Sequence, residues 1–135
     1  MSVFNPLNTA MRSKLTGGTA LTSLLGGTSI YYQQAPDNSS LPYVVWSYQS
    51  AGYENLTPRE MWSGLLWVRG YAATPALAGS VDTQIHALLH GKALTVTGWT
   101  NFWLVREGDF ENVETLPNGK KVHMAGGMYR IRLSE

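Results

Sequence analysis

Apolar residues recur along this chain with two spacings, one helical and one alternating, and the switches between them mark its elements. Leu7, Met11 and Leu15 return every fourth residue behind Asn5, a capping residue type, and Pro6, which suits a first helical position. Gly17 and Gly18 break that stripe. Thr19 can cap a second short helix bearing Leu21, Leu24 and Leu25, which Gly26 and Gly27 stop in turn. The clearest helix runs from Pro75 to His90. Thr74 is its cap, Gly91 its end, and Leu77, Val81, Ile85, Leu88 and Leu89 its apolar face.

The strands read by composition and alternation. SIYYQQ (29–34) is rich in β-formers, and APDNSSLP (35–42) is loop chemistry with a proline near each end. LPYVVWSYQS (41–50) then puts Val44, Trp46 and Tyr48 on one face and Tyr43, Val45, Ser47 and Gln49 on the other. AGYENLTPRE (51–60) is a long polar turn before a second strand, MWSGLLWVRGY (61–71), so residues 43–71 form a hairpin with an extended tip. ALTVTGWTNFWLVREG (93–108) and KVHMAGGMYRIRLSE (121–135) are the remaining strand segments, joined through Asn118-Gly119, the favoured pair for a two-residue hairpin turn.

Register within that last hairpin carries an expectation. Strict pairing outwards from Asn118-Gly119 mixes charged and apolar residues on both faces. A bulge at Gly126-Gly127, where an extra residue is cheap, places Trp103, Val105, Tyr129, Ile131 and Leu133 on one face. Arg106, Arg130 and Arg132 then lie on the other, beside Phe102 and Leu104. The order αα-β-β-β-α-β-β predicts one α+β domain over 1–135: a mostly antiparallel sheet of four to five strands, one long helix packed on a face, and short N-terminal helices.

Composition narrows the function classes. With 135 residues the chain can bury roughly two-thirds of its unfolded surface. No apolar run approaches the roughly 20 residues that span a bilayer, and MSVFNPLNTAMRSKL lacks the layout of a signal peptide. Zero cysteines exclude disulfides, thiol nucleophiles and Cys-ligated metals, and a net charge of +1 gives no general attraction to nucleic acid or anionic membrane. Charged residues make up 14%, against roughly 25% in typical domains. Five Trp and seven Tyr accompany that low charge, a composition that tilts towards assembly with partners.

Catalytic parts do not assemble from the sequence. His86 and His90 have metal-ligand spacing on the long helix, but no third ligand accompanies them and both point away from its apolar stripe; surface histidines are the expectation. Glu107, Asp109, Glu111 and Glu114 line one side of a hairpin arm, where a solvated face is expected and paired catalytic acids are not. The double glycines match neither GxGxxG nor the phosphate loop, and there is no GxSxG elbow. Asn38-Ser39-Ser40 and Asn55-Leu56-Thr57 fit the glycosylation pattern, which carries little weight without a secretory signal. Trp99 and Trp103, four apart, read as core or as interface anchors. The residues imply no enzyme, cofactor or metal.

Three segments carry a resemblance. ALTSLLGGTSIYYQQAPDNSSLPYVVW (20–46) resembles the tail-completion, or tail-terminator, family of long non-contractile-tailed bacteriophages (siphophages), with its Leu-rich helix, Gly break, Ile-Tyr strand, Ala-Pro loop and Leu-Pro-Tyr-Val-Val. TPALAGSVDTQIHALLHGKALTVTG (74–98) is similar to that family's long helix, Leu-His-Gly turn and Leu-Thr strand. NGKKVHMAGGMYRIRLSE (118–135) looks like its closing strand. The chain departs from the pattern by lacking a basic residue before Ile30 and by a more aromatic second hairpin strand.

The resemblance implies a structural virion protein, assembled in the host cytoplasm, which forms a six-subunit ring at the head-proximal end of the tail. Its implied partners are itself, the tail tube protein and the head-completion or stopper protein, with DNA passing through the lumen without sequence-specific binding and no membrane contact. A closing ring needs two complementary patches per subunit. The arms suggest Glu54, Arg59 and Glu60 on one, and Glu107, Asp109, Glu111 and Glu114 with Lys120 and Lys121 on the other. Another neck or head-completion protein, or a small ligand-binding module with an apolar cavity, are the alternatives.

Overall fold

The computed structural model describes residues 2–55 and 58–135. Three helices, α1 (Phe4–Thr16), α2 (Thr19–Leu25) and α3 (Pro75–Leu89), cover one face of a five-stranded sheet. The strands are β1 (Ile30–Tyr32), β2 (Tyr43–Tyr53), β3 (Met61–Ala72), β4 (Thr100–Thr115) and β5 (Lys121–Ser134). Their spatial order is β1-β2-β3-β5-β4, with β1 parallel to β2 and every other pairing antiparallel. This is the expected α+β architecture.

Helix boundaries shift slightly from the sequence reading. α1 begins at Phe4, so Pro6 is its third residue, and the backbone N–H of Phe4 donates to Ser2 Oγ rather than to Asn5. α2 is entered through Gly18, not through a Thr19 cap. The two helices approach closely there: a Cβ on Gly18 would stand 2.5 Å from Leu88 Cδ1, so the Leu88 side chain of α3 would have to shift to admit one. Gly26, at φ +70, closes α2 as expected. In α3, Thr74 Oγ1 accepts from the Leu77 N–H at 3.2 Å, and Gly91 follows the helix at φ +71.

The core lies between the helices and the sheet. Leu7, Met11 and Leu15 of α1, Val81, Ile85 and Leu89 of α3, and Val44, Trp46, Trp62, Leu66, Val68, Tyr129, Ile131 and Leu133 of the sheet form one buried cluster. β3 alternates strictly, each even residue from Trp62 to Ala72 buried and each odd one half-buried. Gly70 belongs to that inner set because a Cβ there would meet Val81 Cγ1 at 2.6 Å.

The last hairpin corrects the expected register. Leu104 faces the core opposite Ile131, and Arg106 lies opposite Tyr129 on the same side. Trp103 and Val105 instead stand across from Arg132 and Arg130 on the outer face. The irregularities fall in β4, between Asn101 and Trp103 and between Arg106 and Gly108, and not at Gly126-Gly127. Those glycines serve close approach instead. A Cβ on Gly127 would stand 2.5 Å from Arg106 Nε, and one on Gly126 would collide with the β3 backbone.

Two further expectations change in detail. The Asn118-Gly119 turn is longer than two residues: Leu116 N–H donates to Lys120 O at 2.7 Å and Gly119 N–H to Leu116 O at 2.9 Å, with Gly119 at φ +84. That is a type I turn followed by a left-handed glycine, the common three-residue hairpin loop. Segment 93–99 is not strand. Leu94, Val96 and Trp99 are buried from an irregular turn containing Gly98 at φ +85, so Trp99 is core while Trp103 is 39% exposed. Residues 56 and 57, which complete the second glycosylation pattern and belong to the 51–60 tip, lie outside the described residues.

Candidate assembly surfaces

One face of the sheet carries no helix, and its outward residues come from the odd positions of β3 and their neighbours. Trp67 packs on Phe110 of β4 at 5.7 Å between ring centroids, and the Arg69 guanidinium lies 4.1 Å over the Trp67 ring. Arg69 Nη2 also donates to Ser47 Oγ at 3.1 Å, and Tyr43 stacks on Tyr71 at 5.1 Å. Trp67 Nε1 and Arg69 Nε are buried with no acceptor among the described residues. Burial raises the Tyr43 hydroxyl above its ordinary value, with Tyr71 and Glu114 adding to the effect. The sequence signal for this face was the excess of aromatics in 61–71, which could have been paired with Phe110 had the register been known.

Arg106 is the chief polar junction. Its Nη1 and Nη2 clamp Asp82 of α3 at 2.8 and 2.9 Å, and its Nε donates to Asp109 at 2.6 Å. Nη1 reaches Tyr129 Oη and Nη2 the Gly126 carbonyl, so every N–H of the guanidinium has an acceptor. Burial alone would lower the Arg106 pKa, but the hydrogen bonds to Asp82 and Asp109 outweigh it and the net shift is upward. This network fastens the β4–β5 hairpin to α3 and went unseen in the sequence, where Arg106 was expected on the outer face.

The sequence-derived contact residues lie on the two hairpins: Glu54 and Glu107 engage Arg132 and Arg130, two residues apart on β5, while Lys120 and Lys121 stand at the far turn. Glu54, Arg59 and Glu60 sit at the β2–β3 tip, where Arg132 Nη2 reaches both Glu54 carboxylate oxygens at 2.7 Å. On the other hairpin, Glu107 pairs with Arg130 at 3.2 Å and Asp109 with Arg106, whereas Glu111, Glu114, Lys120 and Lys121 are exposed with no ion pair among the described residues. Three of the nine expected intersubunit charges, Glu54, Glu107 and Asp109, are therefore already engaged within the chain.

Among the described residues no group of three or more His, Cys, Asp or Glu could hold a metal ion. His86 and His90 stack at 4.7 Å, and His90 Nδ1 accepts the Arg106 backbone N–H at 3.0 Å, which commits that lone pair within the chain. Three clefts of about 620, 410 and 390 Å³ open between α1 and 93–97, beside Arg12 and Tyr32, and under the 33–39 loop. The carboxylates lining them are Asp37 and Glu114, both in the last.

Comparison with known proteins gives the family. The family model of tail completion protein gp17 matches residues 9–124. The chain belongs to that family. Family membership gives it a structural part in completing a phage-type tail, as a virion component in contact with other tail or head proteins. A chain from a solved structure titled "Virion of native gene transfer agent (GTA) particle" is 15% identical, covers 99% of this chain and 98% of its own, and superposes with a TM-score of 0.77. A second solved chain, 11% identical, covers 96% and 94% with a TM-score of 0.65. At such identities the likeness is one of fold. No curated protein matches the sequence. Among the described residues no helix is long and apolar enough to cross a membrane.

Proposed function

We propose that this tail completion protein is the terminator of a long non-contractile tail. Six copies close into a ring on the last tube ring at the head-proximal end, and the ring halts tube growth. Its other surface receives the head-completion or stopper protein, and the lumen passes DNA without reading its sequence. Assembly takes place in the host cytoplasm, and the function is structural, with no substrate turned over. The observation that carries this reading is the family match over 9–124, supported by full-length likeness to a chain of a phage-like particle. The two charged hairpin ends suit it as well. Glu54 and Glu60 at one end of the β2–β3 hairpin and Lys120 and Lys121 at the β4–β5 turn lie at opposite ends of the sheet, as contacts to two different neighbours require.

Deletion of the reading frame from its parent genome, with the lysate viewed by negative-stain microscopy, tests the proposal. Filled heads beside separate, overlong headless tails are expected, because tube growth loses its stop. Tails of normal length that fail to join heads would move the protein to the neck. Intact infectious particles would sink both readings.

A further inference from the structure

The two edges of the sheet are unlike. β4 forms one edge, and its first half is covered from within the chain: Leu104 O accepts from Gly91 N–H at 2.7 Å, Trp103 O from Asn101 Nδ2 at 3.1 Å, and Arg106 N–H donates to His90 at 3.0 Å. From 107 to 115 the outer backbone groups have no partner among the described residues, and Phe110 and Val113 are exposed beside them. An open edge of this length is a template for another strand unless something covers it. The other edge is β1, flanked by α1, whose Arg12 reaches across and donates from Nη1 to Ile30 O at 2.7 Å. Neither Arg12 nor Glu111 has an ion-pair partner among the described residues.

Register ties these two edges together. Ile30 stands opposite Val44, Val44 opposite Gly70, Gly70 opposite Ala125, and Ala125 opposite Glu111. Directly paired residues point to the same side of a sheet. One row therefore crosses the whole molecule on its helix-bearing side, ending at Arg12 on one edge and at Glu111 on the other. A copy displaced sideways by one sheet width brings its Glu111 to the next copy's Arg12. Following the strand directions through the sheet, β4 of one copy would run antiparallel to β1 of the next. Pairing β4 with a second β4 would instead set acidic residues against one another, which is unfavourable.

The geometry points to the outer edge of β4, over 107–115, docking on the β1–α1 flank of a second copy of this chain, with Glu111 against Arg12. This inference rests on the ring reading above and supplies its subunit contact: unlike patches on one molecule give a head-to-tail interface, the type that closes a ring.

The absence of native cysteine makes the contact testable by cross-linking the full chain. With Ile30 opposite Glu111, Ser29 lies opposite Asn112. Ser29→Cys/Asn112→Cys should yield a ladder of covalent multimers with a short thiol linker, and each single variant should yield none. Glu111→Arg should weaken assembly about tenfold in sedimentation or native mass spectrometry. Adding Arg12→Glu to Glu111→Arg should restore assembly above either single variant. Linked dimers from Asn112→Cys alone would mean that β4 meets β4, and would overturn the proposal. Multimers of the unaltered chain with neither ladder nor rescue would place the contact elsewhere and leave the ring reading standing. An unaltered chain that stays single in solution and in purified particles would remove both.

Discussion

The two hairpins of this sheet adhere to the helix layer by different physics. β2–β3 does so by burial: Val44, Trp46, Trp62, Leu66 and Val68 are all at or near zero exposure. β4–β5 combines Leu104, Tyr129, Ile131 and Leu133 with one cation, Arg106, whose bonds run to a helix, to its own strand and to its partner strand. Apolar contact is non-directional and tolerates small displacements. A guanidinium fork has fixed directions and does not. The second hairpin should therefore be the more brittle to single changes.

The sharpest break in that comparison is Arg106→Ala, expected to cost about 3–5 kcal/mol because Asp82 is left as a half-buried charge without its partner. Leu66→Ala in β3 should cost about 2–5 kcal/mol through the cavity it leaves. Urea unfolding followed by tryptophan fluorescence gives both values. Hydrogen exchange separates the mechanisms: the Arg106 variant should lose protection mainly over 107–127, the Leu66 variant throughout the sheet. An Arg106 variant within about 1 kcal/mol of the parent would reduce the network to an ordinary surface pair.

A pair of glycine substitutions sharpens the same contrast. Gly127→Ala puts a Cβ 2.5 Å from Arg106 Nε and 2.9 Å from Gly108 O, so a cost of about 1–3 kcal/mol is expected. Gly52→Ala in β2 meets nothing within 4 Å and has no left-handed φ, so the parent's stability should be kept or slightly raised. Thermal melts of the two variants side by side would settle it. Equal costs would remove the distinction between the hairpins.

What the sequence made legible follows the same division. β3 alternates and α3 carries a cap, a first-turn proline and a terminal glycine, so both were placed within a residue or two. Their patterns answer to burial alone, which residue type reports directly. β4 was misread because its face is set by irregularities at 102 and 107 that no residue type announces. Arg106 then faces inwards, where a charged residue is not expected without sight of Asp82, twenty-four positions away. Gly126 and Gly127 were noticed for the right reason, backbone freedom, and assigned the wrong use. The contact residues proposed at 54–60 and 107–121 rested on charge and on the family resemblance, and the ion pairs that engage Glu54, Glu107 and Asp109 within the chain could not be read from spacing.

The smallest expected effect is also the most selective. Tyr129→Phe removes the acceptor of one Arg106 hydrogen bond, at a cost of about 1 kcal/mol near neutral pH. Burial pushes the Tyr129 hydroxyl up from 10.0 to about 12, although Arg106 pulls it down. A hydroxyl whose folded pKa is raised lends stability that is whole below pH 10 and fades as pH climbs towards about 12, because the unfolded chain releases that proton first. The parent should thus lose melting temperature across that window more steeply than the Phe variant, and the gap between them should narrow or reverse. Tyr48, also raised by burial and bonded to Asn8, leaves a residual slope in both. Parallel melting curves from pH 9 to 12 would show that the Tyr129 proton is not held by the fold, and the β4–β5 junction would then depend on the Arg106 bonds to Asp82, Asp109 and the Gly126 carbonyl.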